Sequence, residues 1–269
     1  GLRPSFFKPS LPAVVEPRTG LSMGQSCERM AQTWQISRQE QDAFALDSHR
    51  KAAAAYEQGF FSDLVVEFRG LKRDNNLRPD STLEKLAQLR PAFAPNGTLT
   101  AGNSTPMTDG AAAVLLASEE WARSRGLPVL AYLSYSKVAA VDYMNKEGLL
   151  MAPAYAVPRL LADAGLRLQD FDFYEIHEAF AAQVLCTLKA WESPEFCREK
   201  LGLNEPLGPI DRTKLNVKGS SLAVGHPFAA TGARIVATLA KLLAEKGSGR
   251  GLISICTAGG MGVVAILER

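Results

Sequence analysis

The stretch ARIVATLAKLLAEKGSGRGLISICTAGGMGVVAIL, residues 233–267, runs through two backbone periods in succession. From Arg234 to Lys246 the apolar residues recur at helical spacing, which predicts an amphipathic helix. Gly251–Cys256 and Val263–Leu267 are short, almost wholly apolar runs, and the glycines between them predict two strands joined by a tight turn. Strands apolar on both faces need cover on both faces, so a helix beside them implies a layered α/β arrangement. Working back along the chain, the same alternation continues. Ala179–Leu188 reads as a helix, Phe171–Ile176 as a strand, Ala154–Ala164 as a helix ended by Gly165, and Pro128–Tyr135 as a strand.

Further toward the start the texture changes. Ser37-Arg38-Gln39-Glu40 is a capping-box pattern ahead of an Ala-rich run, predicting one long helix through Tyr56 that stops near Gly59. Leu64–Phe68 reads as a strand, and residues 69–97, rich in Arg, Asp, Asn and Pro, as irregular loop. From Gly97 the residues become small and apolar. A turn is expected at Gly102-Asn103-Ser104, core at Gly110–Leu116, and a helix capped by Ser118.

With 269 residues and 46% apolar content the chain can bury a large core as one or two domains. A net charge of +2, from 30 basic and 28 acidic residues, provides no general field for nucleic acid. Basic residues cluster only around Lys72-Arg73 and Arg78, on a loop that would suit an anionic ligand or simply solvent. No apolar run approaches the roughly 20 residues of a membrane-spanning helix. Four cysteines without close, even spacing argue for a reducing compartment rather than a disulfide framework.

Two Gly-flanked turns carry reactive side chains. Gly225-His226-Pro227 holds an imidazole and Cys256-Thr257-Ala258-Gly259-Gly260 a thiol. Glycine allows a reacting carbonyl to approach the backbone, and a thiol beside an imidazole suits acyl chemistry. His226, expected ahead of a helix N-terminus, should stay neutral, because the positive end of the helix dipole disfavours imidazolium. Cys256 has an ordinary pKa of about 8.5, which neighbouring donors or a histidine can bring toward neutrality. A third element, Glu175-Ile176-His177-Glu178-Ala179-Phe180, adds a second imidazole. Read by spacing alone, Cys256 is also a plain buried residue, His226 a backbone-bonded turn histidine, and His177-Glu178 a core polar pair.

The blocks MGQSCERMAQTWQISRQEQDAFALDSHRKA (23–52), AGNSTPMTDGAA (101–112), HEAF (177–180), NVKGSSLAVGHPFAATGAR (216–234) and CTAGGMG (256–262) together resemble the thiolase family, whose members cleave 3-ketoacyl-CoA with coenzyme A or run the reverse condensation. The HEAF block is similar to the branch that works with fatty-acid oxidation complexes. The resemblance implies a five-layered αβαβα core with a loop domain. On that pattern residues 1–97 are the later part of the loop domain, 98–127 a returning piece of the first core half, and 128–269 the complete second half. It implies that Cys256 is the general acid/base, that His226 activates a nucleophilic cysteine, and that His177 completes an oxyanion site. The backbone N–H of Ala258 would serve a second oxyanion site, and Arg78, Ser104 and Thr105 would face CoA. Coenzyme A is then a substrate, and no cofactor or metal is expected.

The family's acylated cysteine lies ahead of these blocks, and the opening residues GLRPSFFKPSLPAVVEPRTG read as the middle of a loop. The expectation is a thiolase piece lacking about 100 to 150 residues, one domain's worth, at its N-terminal side. The resemblance further implies a dimer or tetramer, a hydratase/dehydrogenase partner subunit, and a bacterial cytoplasmic or mitochondrial matrix location. Several alternatives stay open. One is a non-catalytic module that holds acyl-CoA or lipid, and another a biosynthetic acetoacetyl-CoA thiolase. A condensing synthase of the same superfamily would lack a cysteine at position 256. A zinc site on His177, His226 and Cys256 has suitable residue types but no close ligand pair, and a phosphate loop at Gly219-Ser220-Ser221 lacks its lysine.

Overall fold

A computed structural model describes residues 3, 14–145 and 147–269. Residues 1–2 and 4–13, where the sequence reads as mid-loop, lie outside the described residues. Two helices open the described chain, α1 (Met23–Thr33) and α2 (Arg38–Glu57). Each begins with a reciprocal capping box: Ser22 with Gln25, and Ser37 with Glu40. These boxes satisfy N–H groups that the first turn leaves without intrahelical acceptors. Two short helices follow, α3 (Leu83–Ala87) and α4 (Glu119–Ser124), the latter capped by Ser118 as the sequence predicts.

The remainder is one four-stranded sheet with helices between its strands. In chain order it runs β1 (Tyr132–Ala140), α5 (Ala152–Ala164), β2 (Phe173–Ile176), α6 (Ala181–Glu192), α7 (Pro194–Leu201), α8 (Ser221–Val224), α9 (Thr231–Lys246), β3 (Arg250–Thr257) and β4 (Met261–Glu268). The strand order is β1-β4-β3-β2; β4 is antiparallel to both β1 and β3, and β2 is parallel to β3. Gly165 ends α5 in the left-handed conformation, and Gly259 and Gly260, at φ 73° and 71°, turn β3 into β4.

Alternation along β3 sends its side chains to two different cores. Leu252 packs with Tyr174, Ile176, Val264 and Ile266 against α5 and α6, in a cluster that includes the fully buried Trp191. Ile253, with Ala265 and Leu267, packs against Ile235, Leu239 and Leu243 of α9. Helices α1 and α2 lie outside α6 and contact it, so α9, the sheet and the α5–α6 layer stack in that order. This is the second α/β half expected from the sequence.

Three expectations are corrected. Leu64–Phe68 forms no ladder; its one pairing is a bridge from Phe68 to Leu71, and Val66 and Phe68 are exposed. β-Propensity alone does not make a strand where no partner edge is within reach. Gly110–Leu116 is not core, because it carries no regular structure and leaves Leu115 and Leu116 exposed. The first sheet strand also begins later than Pro128, at Tyr132, since its register is set by pairing of Tyr132–Ala140 with Glu268–Met261. Among the described residues no helix is long and apolar enough to cross a membrane.

The centre of the sheet sets the stability. Leu252→Ala, at a side chain with no exposure, should cost about 2–5 kcal/mol through lost burial and the cavity left behind, read from the urea unfolding midpoint. Glu175 of β2 is a second lever, because its carboxyl is buried without a hydrogen-bond partner and burial lifts its pKa from 4.5 to about 8. A folded-state value above the unfolded one means that the folded chain holds the extra proton. This group's contribution is therefore complete below 4.5 and declines as pH rises toward about 8, by at most about 1.4 kcal/mol per pH unit. Glu175→Gln should flatten that decline in unfolding curves taken across the same window; an unchanged slope would remove the carboxyl as its source.

Candidate active site

The parallel pairing of β2 with β3 places two of the reactive segments side by side. His177 directly follows β2 and donates its backbone N–H to Ser254 O at 2.8 Å, two residues before Cys256 on the adjoining strand. The third segment arrives from the turn ahead of α9. The rings of His177 and His226 meet with centroids 4.2 Å apart at an interplanar angle of 48°. Two of the three groups expected at the site are thus brought into contact.

A buried polar brace holds both segments. The Glu178 carboxylate accepts from Ser48 Oγ at 2.7 Å, Asn216 Nδ2 at 2.7 Å and the Leu222 backbone N–H at 3.1 Å. Asn216 also brackets the end of β2, accepting the Ile176 N–H on Oδ1 and donating from Nδ2 to the Ile176 carbonyl, both at 2.9 Å. Asn216 does this in the left-handed region, at φ 44°, which Asn tolerates better than most residues. Gly219 and Gly225 shape the rest of the segment. A Cβ at Gly219 would lie 2.5 Å from the Ser48 carbonyl, and one at Gly225 would lie 2.7 Å from Thr108 and 2.9 Å from Asn76.

Both imidazoles are held neutral. His177 is buried and its pKa lies well below the usual range, first through burial and then through the nearby His226 and Arg234. His226 is half-buried and is lowered by burial and then by Arg234. His177 Nδ1 lies 2.9 Å from Ser221 Oγ, and His226 Nδ1 lies 2.5 Å from Thr231 Oγ1. The Phe228 ring lies tilted at 57° to that of His226, with centroids 5.1 Å apart, and is exposed, as is Met107, which bridges to the His226 backbone.

Cys256 sits differently. Its side chain joins the apolar cluster of Cys27, Cys186, Met151, Ala154 and Phe180, on the α5–α6 face of the sheet. Burial pushes the thiol up to about 12, which corrects the expectation of a pKa brought toward neutrality. Neither imidazole is hydrogen-bonded to it among the described residues, so desolvation decides the direction. The other three cysteines are buried on helices: Cys27 on α1, Cys186 on α6 and Cys197 on α7.

Ala258 is exposed at the β3–β4 turn, where the left-handed positions fall to Gly259 and Gly260 and leave Ala258 outside the positive-φ region. Arg78 lies on the loop that touches the site through Asn76. Its guanidinium donates to the Asn75 and Leu77 carbonyls, while its backbone N–H donates to His49 Nδ1. Ser104 bridges to Phe180 and its buried hydroxyl has no partner. Thr105 donates its hydroxyl to the Ser221 carbonyl at 2.7 Å and its N–H to the Ala179 carbonyl at 3.1 Å. Ser220 and Ser221, considered as part of a phosphate loop, are instead fully buried and bonded to Arg234. No group of three or more His, Cys, Asp or Glu suited to a metal ion occurs among the described residues.

Beyond weighing Ser221 in a phosphate loop, sequence reading assigned no site role to Ser48, Asn216, Ser221, Thr231 or Arg234. The last four lie within the 216–234 block, but their roles depend on partners distant in the chain or on the local fold of the turn.

The family description "Thiolase, C-terminal domain" matches residues 127–269, and "Thiolase, N-terminal domain" matches residues 8–120. A 3-ketoacyl-CoA thiolase of Pectobacterium carotovorum is 49% identical over 275 residues, an alignment covering all of this chain and 62% of that protein. One from Yersinia pestis is 48% identical, covering 99% and 62%. The chain therefore spans about 62% of the length of these curated relatives. Among solved structures, a Bacillus anthracis acetyl-CoA acetyltransferase superposes with a TM-score of 0.81 at 35% identity, covering 100% of this chain and 68% of that one. Human mitochondrial 3-ketoacyl-CoA thiolase gives 0.78 at 29%, covering 97% and 66%. From the sheet order through the paired imidazoles to these matches along nearly its whole length, the chain belongs to the thiolase family.

Proposed function

We propose that this chain is the greater part of a 3-ketoacyl-CoA thiolase acting in fatty-acid β-oxidation. The single observation that best supports this reading is the contact of two neutral imidazoles beside the strand that carries Cys256. In a ping-pong route the thiolate of a nucleophilic cysteine attacks the 3-keto carbonyl of the substrate, and the Cα–Cβ bond breaks. The acyl group stays on sulfur and the departing acetyl-CoA carbanion takes a proton. CoA then attacks the acyl-cysteine and releases the shortened acyl-CoA.

His226 takes the proton of the nucleophilic thiol, a task for a neutral imidazole. His177 donates toward the oxyanion, and the Ala258 N–H serves the second oxyanion site. Cys256, protonated at rest because burial holds its pKa near 12, is set to deliver a proton to the carbanion. Arg78, Ser104 and Thr105 lie along the path of CoA. Arg78 would exchange carbonyl partners for phosphate, Ser104 has a hydroxyl without a partner, and Thr105 braces the segment.

All four cysteines of this sequence are buried, and the three besides Cys256 lie on helices. The nucleophile is accordingly assigned to chain beyond these 269 residues, either continuous with them or a companion polypeptide. A dimer or tetramer, an association with a hydratase/dehydrogenase subunit, and a bacterial cytoplasmic or mitochondrial matrix location belong to the same proposal and rest on the family resemblance. CoA is a substrate in this reading, with no cofactor.

The test is thiolysis itself. The purified protein, with any polypeptide that accompanies it, is mixed with 3-ketoacyl-CoA and CoA, and acetyl-CoA release is followed. CoA-dependent cleavage, with an iodoacetamide-sensitive cysteine outside the four known here, is expected. Tight acyl-CoA binding with no cleavage would favour the binding module. In the active assembly Cys256→Ser should lower turnover by about 10²- to 10⁴-fold with little change in CoA affinity; equal losses in both would make its role structural.

A further inference from the structure

The structure grips the His177 ring in a definite direction. Ser221 Oγ lies 2.9 Å from His177 Nδ1 and 2.9 Å from a terminal nitrogen of Arg234, which also reaches Ser220 Oγ at 3.2 Å. A guanidinium only donates. The Ser221 oxygen therefore accepts from Arg234, and among the described residues the one acceptor in reach of its own proton is His177 Nδ1. The opposite arrangement, with Nδ1–H donating to the same oxygen, would leave a hydroxyl proton without a partner at a residue that has no exposure. Ser221 is thus the donor, Nδ1 carries no proton, and the neutral ring is protonated on Nε2.

A second hydroxyl turns the neighbouring ring the other way. Thr231 Oγ1 lies 2.5 Å from His226 Nδ1 and donates to the Pro227 carbonyl at 3.4 Å. With its proton so directed, Thr231 accepts from the ring. His226 is then protonated on Nδ1 and keeps a lone pair on Nε2. Two imidazoles in contact, alike in residue type and in neutrality, are made opposite in function by the hydroxyls behind them.

We propose that Ser221, oriented by Arg234, is the positioning residue that fixes His177 as the Nε2–H tautomer and makes it the hydrogen-bond donor beside a basic His226. The catalytic value of that assignment rests on the thiolase reading; the tautomer itself does not. Without the Ser221 hydroxyl, His177 loses the one donor aimed at Nδ1, and its proton is free to settle on either nitrogen. An oxyanion or its bridging water would then face a lone pair for part of the time.

The sequence holds three histidines, His49, His177 and His226. Long-range proton–nitrogen spectra of the ¹⁵N-histidine-labelled chain therefore resolve every ring, with His49→Gln and His177→Gln giving the assignments. His177 should be a pure Nε2–H tautomer and His226 an Nδ1–H tautomer. Ser221→Ala should shift His177 to a mixture or to Nδ1–H, whereas Ser221→Thr, which keeps the hydroxyl, should preserve the original state. An Nδ1–H ring at His177 in the unaltered chain overturns the proposal even if Ser221→Ala fails to fold, as does a His177 tautomer that Ser221→Ala leaves unchanged. In the assembly that performs thiolysis, Ser221→Ala should lower kcat about 10- to 100-fold at unchanged KM for CoA, with Ser221→Thr restoring it; an unchanged kcat removes the positioning role. If the unaltered protein shows no thiolysis, the functional reading fails while the tautomer measurement still decides this one.

Discussion

The buried carboxylate of Glu178 is the constraint on which the site depends. Moving a carboxylate out of water costs several kcal/mol, and here three donors from three places offset it: Ser48 of α2, Asn216 of the turn before α8, and the Leu222 N–H in the first turn of α8. Hydrogen bonds to a charged group contribute about 1.5–3 kcal/mol each, enough in sum to hold the arrangement. Any shift of the HEAF segment against the 216–234 segment would strip a donor from that buried oxygen. The separation of the two imidazoles is therefore set by a residue that touches neither ring.

Glu175 shows the same physics without the compensating donors. It stands three residues earlier and is equally buried, yet neither of its oxygens has a partner. Burial raises the pKa of both carboxyls, and at Glu178 the three hydrogen bonds offset only part of the rise. Desolvation is common to the whole neighbourhood, lowering both histidines and raising Cys256; hydrogen bonds offset it at Glu178 and the charge of Arg234 adds to it at the histidines. The outcome is a cluster of proton carriers that are uncharged at rest. Two imidazolium ions could not share a contact of 4.2 Å without strong repulsion, whereas two neutral rings can, provided that their protons are ordered.

Much of the fold was legible because its signals are local. Ser37 and Glu40 announce α2, Gly165 ends α5, and the paired glycines turn β3 into β4. The failures lie where the outcome depends on a partner. Leu64–Phe68 has strand-forming residues but no edge to pair with, and Gly110–Leu116 has a core composition yet lies uncovered. Of the site, His177, His226 and Cys256 stood out by motif, but Ser48 could not, since a serine in mid-helix carries no sign that it will meet Glu178 across 130 positions of chain.

By itself the sequence determined the order of helices and strands in the second half, the family, and which imidazoles and thiol to watch, because periodicity, caps and motifs are written in neighbouring residues. Tertiary structure alone decided that the two rings touch, that Cys256 turns into an apolar cluster with its thiol raised, and that Ser221 and Thr231 stand behind His177 and His226. Protonation and tautomer answer to burial and to the direction of a hydrogen bond, and both of these exist only once distant segments have packed together.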